Sequence, residues 1–338
     1  MNHKYSDKKE SNIVMCKAII IRNYGDAKVL ELEKISLNEP GDRELLIRHT
    51  AIGVNYHDIY VRSGLYKTLN LPGIPGCEAI GIIEKIGSGV KNFKKGDRIV
   101  YITSDYGAYA THRMLSNHLA IKVPDMISDE VMATNFLRSM TVKMLLEKVT
   151  KITLADTILV TAAAGGVGRL LCQWANSLGV CVIGTVSNQN KVSKANSYGC
   201  KYTIVCDQND VVEKVMNFTG GKGVDVVYDS VGSETFELSL ATLKKCGHLV
   251  NYGQSSGPVE PLMMSTLAIK SLTVSRPILF HFIEHTEIYH QMAHSVFDFF
   301  MSNRLLLPES ESYPLKDASI AHDILECRRG GGSLYLIP

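Results

Sequence analysis

The sequence predicts an α/β protein in two parts: a β-rich region built from many short strands, and a doubly wound parallel sheet. Three observations predict it. Residues 15–125 hold short β-branched runs broken by Gly, Pro, Asn and Asp; strands and helices alternate from residue 157 onward; and a glycine-rich loop joins the first strand and helix of that alternation.

The bulk numbers agree. A chain of 338 residues fits two domains, and 45% hydrophobic with 21% charged residues is ordinary for a globular protein. A net charge of +2 without a Lys/Arg run argues against a dedicated nucleic-acid or membrane-surface binder. No window approaches the roughly 18 apolar residues of a membrane span. The eight cysteines are scattered, none in a CxxC pair, and no signal peptide precedes them; they read as reduced thiols of a cytoplasmic protein. Residues 1–14, MNHKYSDKKESNIV, are polar and are expected to form a tail. Met15 opens the run MCKAIII, so Met1 and Met15 are both open as starts.

In chain order, KAIIIRNYG, ELLIRHTAIGV, AIGIIEKIGSGV and GDRIVYIT predict the strands of a barrel-like β domain. The texture changes near Ser128, which can cap a helix whose first turn holds Asp129 and Glu130. Strands follow at 157–162, 180–186, 201–206, 224–230 and 247–253, with helices at 167–179, 191–199 and between the later strands. After LTVSRP (272–277) the sequence predicts a long helix over 281–303, a further helix over 313–329, and a last strand at 333–338 that returns to the first domain.

The segment 157-TILVTAAAGGVGRLLCQWA-175 carries the strongest local signal. Strand, loop, helix and a second strand stand in order, with Ala163, Gly165 and Gly168 in the dinucleotide-binding register. Gly165 lets backbone approach a pyrophosphate, Gly168 lets helix and strand pack closely, and the helix N-terminus offers N–H donors. No Gly-Lys-Ser/Thr follows, which excludes a Walker A loop. Past the second strand, where an NAD site places a carboxylate, the chain has Ser187, Asn188 and Lys191. A hydroxyl, an amide and an ammonium suit a 2′-phosphate, so the cofactor is expected to be NADPH.

Stretches along nearly the whole chain after Met15 resemble the bacterial quinone oxidoreductases, relatives of zeta-crystallin in the medium-chain dehydrogenase/reductase superfamily. They are AIGVNYHDIYVRSGLY (51–66), AIGIIEKIGSGVKNFKKGDRIVY (79–101), TAAAGGVG (161–168), TGGKGVDVVYDSVG (219–232), YGQSSGPV (252–259), SRP (275–277), YPLKDA (313–318) and the terminal LIP. The resemblance implies a GroES-like catalytic domain (15–138 and 278–338) with an inserted Rossmann domain (139–277). It also implies NADPH in the cleft between them, a homodimer, and reduction of quinones or related electron-poor carbonyl compounds. Carried over residue by residue, the cofactor contacts would be Asn55, Tyr60, Thr141, Gly166, Val167, Ser187, Lys191, Ser230, Tyr252, Ser255 and Arg328. Two departures stand out: Cys206 occupies the place of a tyrosine that stacks near adenine, and Arg138 that of a lysine.

Zinc-dependent members of the superfamily hold their metal through Cys and His at places where this chain has Asn55 and Cys77, and no cysteine cluster follows Asp97, so no zinc is expected. The run 281-HFIEH-285 matches an inverted zincin pattern, yet it coincides with a helix that carries no chemistry in the resembling family. Catalytic candidates therefore fall in 53-GVNYHDIYVRSGLY-66. Asn55 can bond ribose or substrate oxygen, Tyr60 and Tyr66 can donate O–H bonds, Asp58 can orient its neighbours or cap a helical turn, and Arg62 can support the loop electrostatically. Two other functions share this sequence: reduction of an enone or alkenal double bond, and a non-enzymatic crystallin-like or RNA-binding role.

Overall fold

A computed structural model describes residues 13–206, 210–302, 305–327 and 333–338. Most of the expected N-terminal tail (1–12) and Arg328 lie outside the described residues. The chain divides into two compact units, Met1–Thr134 with Glu309–Pro338, and Asn135–Pro308.

The elements run β1 (Val14–Ile20), β2 (Glu31–Leu37), β3 (Glu44–Gly53), α1 (Tyr56–Ser63), β4 (Glu78–Ile86), β5 (Arg98–Ile102), β6 (His112–Ser116), β7 (Ile121–Lys122) and α2 (Asp129–Lys143). They continue with β8 (Thr157–Val160), α3 (Gly166–Ser177), β9 (Cys181–Val186), α4 (Val192–Ser197), β10 (Tyr202–Val205), α5 (Val211–Phe218), β11 (Val224–Asp229), α6 (Phe236–Thr242) and β12 (Leu243–Asn251). The chain closes with α7 (Met264–Ala268), β13 (Thr273–Ser275), α8 (Leu279–Phe282), α9 (Thr286–Met301), β14 (Ser310–Pro314), α10 (Ala318–Glu326) and β15 (Ser333–Ile337).

In the first unit β3 is the organising strand. Its ELLIRHTAIG run is buried along most of its length, and the strand pairs antiparallel with β4, β6 and β15. The sheet runs β14-β15-β3-β4-β5-β7, with β6 added on β3, while β1 and β2 form a separate antiparallel pair. Beneath the sheet His49 is 2% exposed; its Nδ1 donates to the Ala110 carbonyl at 2.7 Å and its Nε2 accepts from the Tyr101 hydroxyl at 2.9 Å.

The second unit is a parallel sheet in the order β10-β9-β8-β11-β12-β13. Its strands are short apolar runs because helices cover both faces. Leu159, Ile183, Ile204, Val227 and Leu249 from five of the strands form one core with Val211 and Val215 of α5 and Phe236 and Leu240 of α6. Ser128 caps α2 as expected, its Oγ accepting from the Val131 N–H at 3.2 Å.

Three expectations need correction. The long helix over 281–303 breaks: Ile283 and His285 leave helical geometry, and α9 restarts at Thr286 with Glu287 in its first turn. The exposed polar run at 284–287 suits a solvent-facing helical turn as well as a break, so residue type alone does not mark the restart. Residues 313 and 314 belong to a strand, since Pro314 disfavours helix in the residue before it and β14 pairs parallel with β15; the helix starts at Ala318. Finally, residues 278–308 belong to the second unit rather than the first, and the unit opens at Asn135 rather than 139. Phe297 stacks on Phe136 at 5.8 Å and Phe299 on Trp174 at 4.0 Å, which anchors α9 beside the parallel sheet.

His49 and His322 are both fully enclosed, and burial pushes each imidazole down from 6.5 to about 3. Below about pH 6.5 the unfolded chain takes up protons that the folded chain refuses, so stability is complete above that pH and is lost on acidification. Between pH 6.5 and about pH 5 the first unit is expected to lose on the order of 2 kcal/mol per imidazole. Thermal melts across that range check it, and His49→Gln should flatten the slope.

Candidate cofactor and active site

The phosphate loop forms where the sequence places it. After β8 the backbone turns through Ala162, whose φ of 49° is rare for a residue with a side chain, and enters α3 with Gly165 as N-cap. The turn is closed by the Gly165 N–H donating to the Ala162 carbonyl at 2.8 Å. A Cβ on Gly168 would stand 2.3 Å from that same carbonyl oxygen, so glycine there is a steric requirement. A Cβ on Gly166 would meet the Arg138 guanidinium at 3.2 Å. Gly165, Gly166, Val167 and Gly168 therefore present the first turn of a helix, with its N–H donors, beside a buried cation. Arg169 lies in the same region, its Nη2 donating to Asn135 Oδ1 at 2.8 Å; burial, then the neighbouring Arg138 charge, push its guanidinium down to about 9. Positive charge this close to the loop favours an anionic ligand.

The carboxyl ends of β8, β11 and β12 are tied together by a residue that motif reading passed over. Asp229 is fully buried. Its Oδ1 accepts from Thr161 Oγ1 (3.0 Å), Thr235 Oγ1 (2.7 Å) and the Val231 N–H (3.0 Å), and its Oδ2 from Asn251 Nδ2 (3.1 Å). Around this carboxylate the chain brings together three expected contacts. Ser230 donates its N–H to Thr161 Oγ1 (3.0 Å), Tyr252 donates its N–H to the Asp229 carbonyl (2.8 Å), and Ser255 donates its N–H to the Ser230 carbonyl (3.2 Å). The sequence signal was the acid ending the apolar run VDVVYDS, at the strand edge where such sheets bind ligands.

Ser187 and Lys191 also come together, with Lys191 Nζ donating to Ser187 Oγ at 3.0 Å and Asn188 Nδ2 donating to the same oxygen at 3.4 Å. Ser187 and Asn188 are exposed at the end of β9. Thr141, on α2, is half-buried, and its hydroxyl donates to the Leu137 carbonyl at 2.9 Å; its oxygen keeps accepting capacity.

In the first unit the expected catalytic segment forms the end of β3 and all of α1. Asn55 is the N-cap of α1, and Asp58 takes the capping role foreseen for it: the Asn55 N–H donates to Asp58 Oδ2 at 2.8 Å. The Asn55 amide donates from Nδ2 to the buried carboxylate of Glu78 at 2.8 Å. Tyr60 and Tyr66 stand with ring centroids 5.0 Å apart, and His57 meets Tyr66 edge-on at 5.7 Å and stacks on Tyr106 at 5.9 Å. His57 Nε2 lies 3.2 Å from the Tyr106 hydroxyl, and burial pushes its imidazole down to about 4, so it is neutral at pH 7. Sequence reading passed over His57, Tyr106 and Glu78, which join the site only through tertiary packing. Arg62 is buried and held by Glu326, at 2.9 Å, and by the Gly25 carbonyl, at 3.2 Å, so it supports the loop from behind.

The residues do not fit zinc. Asn55 offers an amide already committed to Glu78, and the Cys77 thiol is fully buried 3.8 Å from Asp58, where burial and the Asp58 charge raise it well above 9 and keep it protonated. His281 and His285 are separated by the helix break. Among the described residues no group of three or more His, Cys, Asp or Glu side chains is placed to hold a metal, and no helix is long and apolar enough to cross a membrane.

Comparison with known proteins agrees with this layout. Residues 41–125 match the family model described as alcohol dehydrogenase GroES-like domain, and residues 166–297 the one described as zinc-binding dehydrogenase. Quinone oxidoreductase 1 of Escherichia coli is 42% identical over 96% of this chain and all of its own. The 2-haloacrylate reductase of a Burkholderia species is 36% identical over 96% of this chain and 99% of its own. The crystal structure of Escherichia coli quinone oxidoreductase complexed with NADPH superposes with a TM-score of 0.92 at 41% identity, covering 95% of this chain and all of that one.

Gly168→Ala should force the Ala162 carbonyl out of place. Its dinucleotide affinity, read by titration calorimetry, is expected to fall at least about 10-fold, as loss of a phosphate-loop contact would cause.

Proposed function

The chain belongs to the quinone oxidoreductases of the medium-chain dehydrogenase/reductase superfamily, and from that premise we propose that it reduces quinones with NADPH and without a metal ion. The observation that carries the cofactor choice is the Ser187–Lys191 pair at the end of β9, where a carboxylate would repel a 2′-phosphate. In this reading the N–H groups at Gly166, Val167 and Gly168 hold the pyrophosphate, with Arg138 and Arg169 adding positive charge behind them. Ser230, Tyr252 and Ser255 line the carboxyl edge of the sheet, and Thr141 accepts from the nicotinamide end. Bound NADPH supplies a hydride. The protein's task is to orient the acceptor and stabilise charge on its oxygen, work assigned to Asn55, Tyr60 and Tyr66, with neutral His57 completing an aromatic wall suited to a flat acceptor.

A second reading shares the scaffold. The similarity to a 2-haloacrylate reductase favours an electron-poor double bond as the acceptor, in place of a quinone. A homodimer follows from family resemblance and is tested by sedimentation; a cytoplasmic location accords with the scattered cysteines.

Purified protein with NADPH and 1,4-benzoquinone is expected to oxidise NADPH faster than NADH and to be indifferent to a chelator. Activity on an enone with none on quinone would move the assignment to the double bond. Lys191→Glu should raise the KM for NADPH at least about 10-fold while leaving that for NADH nearly unchanged. Tyr60→Phe should lower turnover; an unchanged rate removes its hydroxyl from the reaction.

A further inference from the structure

Behind Asn55 the first unit contains an unbroken chain of buried polar groups. Arg62 Nη1 lies 3.5 Å from His322 Nδ1, His322 Nε2 lies 2.9 Å from the Tyr109 hydroxyl, and that hydroxyl lies 3.3 Å from Asp58 Oδ2. All four side chains are 2% exposed or less. Chemistry fixes the direction of every link. A guanidinium can only donate, so His322 Nδ1 accepts. Burial, then the Arg62 charge, push the imidazole down to about 3, so it is neutral and its single proton sits on Nε2, which donates to the tyrosine oxygen. The phenolic proton is then directed at Asp58. The same carboxylate oxygen accepts the Asn55 N–H at 2.8 Å, while Cys77 donates to the other oxygen. Glu326 holds the far end of the chain at Arg62.

We propose that Arg62, His322, Tyr109 and Asp58 form a one-directional relay that positions Asn55 for the proposed reaction. This inference rests on the role assigned above to the Asn55 side chain. The four residues are positioning residues: none is required to touch the acceptor. Asp58 is separated from the Arg62 charge by two neutral groups that polarise toward it, so the relay lets a carboxylate stay buried and aimed at one backbone N–H. Glu78 holds the Asn55 amide while Asp58 holds the Asn55 backbone N–H, which together fix the orientation of the Asn55 side chain.

The test is a double-mutant cycle. Tyr109→Phe removes one hydroxyl from the relay, and Asn55→Ala removes the group it positions. For Tyr109→Phe alone, kcat with NADPH and 1,4-benzoquinone should fall about 10-fold, while the dissociation constant for NADPH, set largely in the second unit, stays within about twofold. In the Asn55→Ala background Tyr109→Phe should have no further effect on kcat. Additive losses would overturn the proposal, because they would mean Tyr109 acts elsewhere or only on stability. A readout independent of turnover accompanies the cycle: backbone hydrogen exchange in residues 53–60 of the ligand-free protein should quicken in Tyr109→Phe. Unchanged exchange overturns the relay even if the wild-type enzyme is active. Quickened exchange in a wild-type enzyme that reduces no acceptor would instead overturn the assigned activity.

Discussion

The carboxylate of Asp229 is the interaction on which the cofactor unit depends. A parallel sheet ends its strands in separate loops, and nothing in the backbone ladder requires those loops to agree on a position. Asp229 supplies that agreement by accepting from groups that follow β8, β11 and β12 and from Thr235. Several hydrogen bonds converge on Oδ1 and one on Oδ2, and such donors are what make a buried carboxylate tolerable. Ser230, Tyr252 and Ser255 inherit their places from it.

The fold was largely legible because its signals are local. β8, the phosphate loop, α3 and β9 occupy one contiguous stretch, and Gly168 there answers a steric demand that a sequence pattern can encode. The meeting of Ser187 and Lys191 is local in the same way, since the two follow the second strand four positions apart. What escaped was the product of distant packing. Glu78 meets Asn55 across 23 positions of sequence, Tyr106 meets His57 across 49, and Tyr109 meets His322 across 213. No periodicity links such pairs. The helix break before Thr286 was missed for a different reason: the exposed polar run at 284–287 is as compatible with the outer face of a continuous helix as with a break.

The two units solve the problem of buried charge in opposite ways. In the second, Arg138 and Arg169 crowd like charges beside the phosphate loop, an arrangement that an anionic ligand relieves. In the first, Asp58, Glu78 and Arg62 are enclosed with Tyr109, His322 and Asn55 spaced among them, so that hydrogen bonds, rather than a ligand, compensate them. One unit is built to gain from binding, the other to stay rigid without it.

The position of β15 has a consequence for how the protein is made. The strand lies between β14 and β3, and the preceding helix, α10, carries His322 and Glu326. The central sheet of the first unit therefore cannot close until β15 has been synthesised, although most of its strands precede the second unit in the chain. The second unit is complete by Pro308, some thirty residues earlier in synthesis. During translation the inserted unit has all its parts first and the enclosing one last. For that interval β3 is paired along one edge by β4 and over residues 44–48 of the other by β6, while Ile52 and Gly53 at its end wait for β15.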